Sequence, residues 1–211
     1  AILPLDHFHL SRSLARTLRR GRFQVTCNAA FGDVMRACAG PRRDAEDTWI
    51  SRRIEASYIE LHERGQAHSI ECWQQGALVG GLYGVGFDRV FCGESMFSRV
   101  PDASKVAMAW LVAALRRAGA QLLDCQFVTD HLASLGAVEI SQAEYLTRLR
   151  AAQSPIAGDA AGLGADDGLG EGVGAGLALP DGFAALLADA AGAGLSSSPG
   201  NFIAQSLTQT S

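Results

Sequence analysis

Apolar residues recur with the spacing of helices and strands through the first two-thirds of the chain. Ile50, Ile54, Tyr58 and Leu61 follow the three-to-four-residue period of one helix face. Gly65 comes next, and glycine is the residue that most often ends a helix. This pattern predicts a helix that closes at residue 65.

A β-hairpin is predicted directly afterwards. Residues 68–73 alternate in the manner of a strand, and residues 77–85 form an apolar, glycine-rich run. The Gln-Gln-Gly sequence at 74–76 lies between them and predicts a tight turn.

Another helix is predicted after a further apolar strand at residues 90–97. Asp102 is a suitable N-cap, and Met108, Leu111 and Leu115 recur on one face before Gly119. These apolar side chains are expected to form the wall of a pocket or a plain hydrophobic core.

Residues 121–128 are predicted to be a buried strand. Side chains alternate across a strand, so Asp124 and Gln126 are expected on one face and Leu123 and Cys125 on the other. Burying a carboxylate and an amide is unfavourable unless they find partners.

Two interpretations of this acid and amide remain open. Asp124 could cap a neighbouring helix or pair with an arginine, which is a purely structural role. Alternatively, Asp124, Gln126 and Glu94 of the preceding strand together form a binding or catalytic site. The second polar residue and the nearby glutamate favour the site.

The composition changes after residue 153. Residues 154–199 are rich in glycine, alanine and acidic residues and contain no lysine or arginine, which is typical of a flexible linker. A weak helix is predicted within this linker near residues 183–191. Residues 200–211 regain apolar side chains and are expected to dock as a terminal strand.

The distribution of charged residues also changes after residue 153. The first 153 residues carry 18 basic and 16 acidic side chains, whereas the remainder carries six acidic ones. Arginines cluster near residues 12–22, 42–43, 52–53 and 116–117, where they could contact phosphates or simply form solvated faces. No apolar run approaches the roughly 20 residues of a membrane-spanning helix.

The five cysteines are scattered and form no CxxC pair, so neither a zinc site nor a disulfide framework is indicated. We expect each to behave as a small buried hydrophobic residue in a reducing compartment.

Several rare blocks, in order, resemble the leucyl/phenylalanyl-tRNA–protein transferase family, and the match runs from about residue 9 to about residue 149. The blocks that carry the resemblance are GGLYGV at 80–85, FCGESMFS at 91–98, ASK at 103–105, LLDCQ at 122–126 and HLASLGA at 131–137.

The resemblance implies an α+β fold of the acetyltransferase-like type, with a mixed, largely antiparallel sheet flanked by helices. Residues 1–153 would form this transferase domain. The family's small N-terminal domain is expected to be largely missing from this chain.

The resemblance also implies a reaction in the cytoplasm. Leucine or phenylalanine would pass from aminoacyl-tRNA to proteins that begin with arginine or lysine, marking them for N-degron proteolysis, with no cofactor. Asp124 and Gln126 would be catalytic, Glu94 would attract the acceptor's cationic end, and Trp49 would contact the terminal adenosine. The implied amino-acid pocket consists of Leu82, Phe91, Met96, Met108, Leu111, Leu115 and Leu123.

Two other functions remain open. An acyl-CoA-dependent N-acyltransferase would need a pyrophosphate-binding loop of the form Arg/Gln-x-x-Gly-x-Gly/Ala. The nearest sequence starts at Arg116 and ends in Gln121, so it does not fit. The other function is that of an inactive RNA- or peptide-binding fragment.

Overall fold

Five strands form one mixed sheet in the computed structural model, which describes residues 1–40, 50–154 and 177–208. The strands lie side by side in the order in which they occur along the chain. They are β1 (Gln24–Cys27), β2 (Ala67–Gln74), β3 (Ala77–Phe87), β4 (Val90–Ser98) and β5 (Leu122–Asp124).

The first four strands are antiparallel, and β5 alone pairs parallel to its neighbour β4. The β2–β3 hairpin turns at Gln75 and Gly76, whose φ angles of 53° and 77° suit a two-residue hairpin turn. A parallel pair needs a crossover connection, and a helix supplies it between β4 and β5. The expected α+β fold with a largely antiparallel sheet is confirmed.

The helices cover both faces of the sheet. In the described residues they are α1 (Arg12–Arg19), α2 (Phe31–Ala39), α3 (Arg52–Glu63), α4 (Ala103–Arg117), α5 (Asp130–Ala133), α6 (Gln142–Gln153), α7 (Leu179–Gly192) and α8 (Pro199–Ser206), with one 3-10 turn at Leu5–His7.

Helix α4 is the centre of the larger hydrophobic core. Most of its residues are buried, which fits a helix that is apolar on nearly every side. Its inner face packs on β2 and β3, while α7 packs on its outer face, where the rings of Trp110 and Phe183 lie 5.2 Å apart. Helices α2 and α3 form a smaller core on the opposite face of the sheet around Tyr83.

The predicted strand at residues 121–128 is wrong beyond Asp124. Strand β5 ends there, and Gln126 adopts a left-handed conformation with φ of 62°. The backbone amide of Gln126 donates to the Asp124 carboxylate at 2.8 Å, so a side chain takes the place of a neighbouring strand. Asp124 and Gln126 are therefore not two residues on one face of the same strand.

The weak helix predicted near residues 183–191 is confirmed, because it lies within α7. This helix packs on α4 and does not belong to a flexible linker, and the predicted terminal strand is instead the helix α8. Glycine allows close helix packing here, because a Cβ on Gly182 would lie 2.5 Å from the carbonyl oxygen of Ala114 and one on Gly200 would lie 2.4 Å from that of Leu18. The remaining part of the predicted linker, residues 155–176, lies outside the described residues.

Within the described part of the chain, none of the helices has both the length and the apolar character that crossing a membrane requires.

Candidate functional site

The central cavity lies where β4 and β5 separate. The two strands pair only at Val90–Leu122, Phe91–Leu123 and Cys92–Asp124. After these pairs β4 continues to Ser98, while the segment that follows β5 turns away from it. The resulting gap holds a cavity of about 530 Å³. A cavity of this size is within the range of small-molecule sites.

Glu94 faces this gap because the β3–β4 ladder is irregular at that position. Tyr83 pairs with Ser95 and Gly84 pairs with Gly93, so Glu94 is an extra residue in β4. Bulges of this kind redirect a side chain and are common next to active sites. The glutamate thereby enters the cavity lining while its neighbours keep the ladder together.

One wall of the cavity is apolar and comes from the sheet and α4. Its aliphatic and thioether side chains are Leu82, Met96, Met108, Leu111 and Leu123. The opposite rim comes from the segment after β5, which contributes Gln126, Phe127, Thr129 and His131. The cavity therefore combines an apolar interior with a polar edge, as ligand sites commonly do.

Gln126 links the two strands that separate. Its side-chain Nε2 donates to Oε2 of Glu94 at 3.0 Å, and its backbone amide donates to Oδ1 of Asp124 at 2.8 Å. Gln126 lines the cavity, whereas Asp124 lies behind it and receives a hydrogen bond from the hydroxyl of Tyr145 at 2.8 Å. The expectation that both side chains point the same way is wrong, because the chain leaves the strand between them.

The structure does not bring every predicted pocket residue to the cavity. Phe91 and Leu115 are fully buried members of the main core and are not part of the lining. Trp49 lies outside the described residues, so its contact with adenosine stays a prediction. The remaining five members of the predicted pocket all line the cavity.

Two tyrosines at the site were missed by sequence reasoning. Burial, followed by the negative charge of Glu94, raises the pKa of Tyr58 of α3 to about 12. Burial and the hydrogen bond to Asp124 raise the pKa of Tyr145 well above its usual range. Both residues occupy apolar positions of helical patterns, so their hydroxyl groups gave no separate signal.

Cysteine chemistry is not favoured at this site. Cys125 lines the cavity and Cys92 lies in β4 beside it, and burial followed by the charge of Asp124 raises the pKa of each thiol to about 12. A thiol is a weak nucleophile until it is deprotonated. All five cysteines are free thiols, and the described residues contain no cluster of side chains suited to a metal ion.

Comparison with known proteins identifies relatives of this chain. The family model described as leucyl/phenylalanyl-tRNA protein transferase matches residues 2–150. The matched segment includes the whole sheet and every described residue of the cavity lining.

Individual relatives carry the same description. The leucyl/phenylalanyl-tRNA–protein transferase of Novosphingobium aromaticivorans is 66% identical over 224 residues, covering 100% of this chain and 84% of that protein. The one from Rhizorhabdus wittichii is 60% identical and covers 77% of this chain and 66% of its own length. The one from Zymomonas mobilis is 59% identical and covers 72% of this chain and 57% of its own length.

Proposed function

The chain belongs to the leucyl/phenylalanyl-tRNA–protein transferase family, and on this premise we propose that it transfers leucine or phenylalanine from aminoacyl-tRNA to proteins beginning with arginine or lysine. The products would be marked for N-degron proteolysis in the cytoplasm. The observation that carries the proposal is the apolar cavity between β4 and β5, with Gln126 and Glu94 hydrogen-bonded at its edge.

The reaction is aminolysis of an ester. The acceptor's α-amino nitrogen attacks the ester carbonyl carbon, a C–N bond forms, and the bond to the terminal ribose oxygen breaks. The amine loses a proton and the ribose oxygen gains one. Because the ester is already activated, holding the amine beside the carbonyl supplies much of the rate enhancement.

The apolar wall suits the amino-acid side chain of the donor. Met96, Met108 and Leu111 face the cavity, where they would bury the aliphatic side chain of leucine or the aromatic ring of phenylalanine. Met side chains adapt to differently shaped partners, which fits a pocket that accepts both. Leu82 and Leu123 would complete the pocket.

The polar edge suits the acceptor. Glu94 carries the negative charge that would attract the cationic side chain of an N-terminal arginine or lysine. The Nε2 group of Gln126 points at Glu94, which leaves the amide oxygen to accept a hydrogen bond from the incoming amine. Asp124 would act through Gln126, by fixing its backbone, and would stabilise the positive charge that develops on the amine.

A group of exposed arginines on and after α1 would suit a tRNA substrate. The arginines of α1 and of the turn after it are exposed; they are Arg12, Arg16, Arg19, Arg20 and Arg22. Helix α1 lies beside the start of α4, where the Thr17 hydroxyl donates to Asp102 at 3.3 Å. Phosphates of a bound acceptor end would meet this surface, and Trp49 remains the predicted stacking partner of the terminal adenosine.

A direct assay separates this function from its alternatives. The protein is mixed with an arginine-starting peptide and either leucyl-tRNA or acetyl-CoA, and the peptide mass is followed. We expect leucine to be added from leucyl-tRNA and no acetyl group to be added from acetyl-CoA. Acetylation would instead support an acyl-CoA-dependent enzyme, and an unchanged peptide in both reactions would support a binding fragment.

A further inference from the structure

Asp124 connects the cavity to helix α6. One carboxylate oxygen accepts the backbone N–H of Gln126 at 2.8 Å, and the other accepts the hydroxyl of Tyr145 at 2.8 Å. We propose that Tyr145 is a positioning residue for the transfer reaction and acts by holding Asp124 so that Gln126 keeps its orientation towards Glu94. The catalytic part of this inference rests on the proposed function, whereas the structural part does not.

Gln126 needs this support because its backbone is strained. Its φ of 62° lies in the left-handed region, and the amide of Phe127 donates to the carbonyl of Cys125 at 2.7 Å, which closes a three-residue turn around it. Such tight turns with positive φ are rare and unfavourable for a residue with a side chain. Strained conformations persist at functional sites when the surroundings hold them.

Tyr145 can provide that support because α6 is capped at its start and anchored to the rest of the protein at its end. Ser141 caps its first turn by accepting the amide of Glu144 at 3.2 Å. At the other end, the guanidinium of Arg89 donates to the carbonyls of Ala151, Ala152 and Ser154. Helix α6 is therefore held in place through its C-terminal end, and Tyr145 in its first half donates to Asp124.

The direction of the hydrogen bond is also fixed. The pKa of Tyr145 is raised by burial and by its hydrogen bond to Asp124, so the phenol stays protonated and donates throughout the physiological pH range. A continuous path then runs from Tyr145 through Asp124 and Gln126 to Glu94. Each step is a hydrogen bond to a carboxylate, the stronger kind in proteins.

Kinetics of Tyr145→Phe test the catalytic part. The substitution keeps the ring and removes the hydroxyl, and we expect kcat to fall roughly tenfold to a hundredfold, as when one hydrogen bond to a charged group is lost. KM for the peptide should change little, because the apolar pocket and Glu94 remain. Thr147→Ala is the matched control, since among the described residues that hydroxyl donates to the carbonyl of Ala143 in its own helix.

A double-mutant cycle distinguishes positioning through Asp124 from general destabilisation. If Tyr145 acts through Asp124, Tyr145→Phe should lower kcat little further once Asp124→Asn is present. An unchanged kcat in the single variant, or a full additional loss in the double variant, would overturn the catalytic part while leaving the proposed function intact.

Amide hydrogen exchange tests the structural part without any substrate. In Tyr145→Phe, we expect the Gln126 amide to exchange about tenfold faster, because the carboxylate that accepts it is less firmly held. The amide of Leu123 in β5 should exchange as before, and Thr147→Ala should change neither. Unchanged exchange at Gln126 contradicts the inference even if the protein shows no transferase activity.

Discussion

The side chain of Gln126 reaches across the gap between the separated strands and donates to Glu94, with 3.0 Å between Nε2 and Oε2. This hydrogen bond joins the amide proposed to contact the incoming amine to the carboxylate proposed to attract the acceptor's charged end. Binding of the first residue of the acceptor and placement of its amine are therefore coupled through one contact.

Removing the charge of Glu94 should remove the preference for a cationic acceptor. In Glu94→Gln, we expect kcat/KM for an arginine-starting peptide to fall roughly tenfold to a hundredfold, the effect of losing one charge-assisted contact. A peptide starting with citrulline, the uncharged counterpart of arginine, is the control and should be affected much less. If both peptides lose activity equally, Glu94 does not read the charge of the acceptor.

Shortening the pocket wall should change the choice between leucine and phenylalanine. Met108→Ala enlarges the cavity, and we expect the ratio of phenylalanine to leucine transfer to rise roughly tenfold, as for a pocket that gains room for a larger group. Leu115→Ala is a matched control in the same helix, because Leu115 is fully buried and does not line the cavity. An unchanged ratio in Met108→Ala would place the amino-acid side chain elsewhere.

The C-terminal helices should contribute to stability. Phe183 is 6% exposed and packs against Trp110, so Phe183→Ala should lower the free energy of unfolding by about 3–5 kcal/mol, measured by urea denaturation. Leu187→Ala in the same helix removes a side chain that is 40% exposed and should cost much less. Equal, small effects would show that α7 packs only weakly on α4.

Stability should fall in mild acid because of His68. Burial, followed by the positive charge of His62, lowers the pKa of His68 to about 4 in the folded protein. The unfolded chain binds the proton from about pH 6.5 downwards, so the stabilisation is complete above that pH and is lost as the pH falls towards 4. The loss is on the order of 3 kcal/mol across this range.

The variant His68→Gln should remove this component. The side-chain nitrogen Nδ2 of Asn28 lies 3.0 Å from Nδ1 of His68. The side-chain oxygen of a glutamine can keep a hydrogen-bond acceptor at that position without titrating. Glu71, whose pKa is raised by burial, changes stability in the opposite direction but is present in both proteins, so it cancels in the comparison. The free energy of unfolding of each protein is measured by urea denaturation at pH 7 and at pH 5. The prediction fails if this free energy changes by the same amount between the two pH values in the original protein and in His68→Gln.

The sequence predicted the position of the site better than its geometry. The residue types at 94, 124 and 126 indicated a polar site near an apolar wall, and the structure places Glu94 and Gln126 together there. Their relation to Asp124 was mispredicted because the left-handed backbone at Gln126 depends on a side-chain acceptor. Strand periodicity carries no information about such a contact.

The C-terminal part shows a different limit of sequence reasoning. Glycine and alanine in residues 177–199 were interpreted as a linker, yet Gly182 is the point at which α7 approaches α4. Composition alone does not distinguish a glycine that gives freedom to the chain from one that permits close packing. The helix–strand–helix order of the central part was predicted because its apolar periods are long and regular.

The three methionines allow a direct test of where the aminoacyl group binds. Met96 and Met108 line the cavity, whereas Met35 is buried in the smaller core on the other face of the sheet. In protein with ¹³C-labelled methionine methyl groups, a stable amide-linked leucyl-adenosine would be titrated and the three NMR signals followed. We predict that the signals of Met96 and Met108 shift while that of Met35 stays fixed. Saturable binding that leaves Met96 and Met108 unchanged would contradict the proposed site.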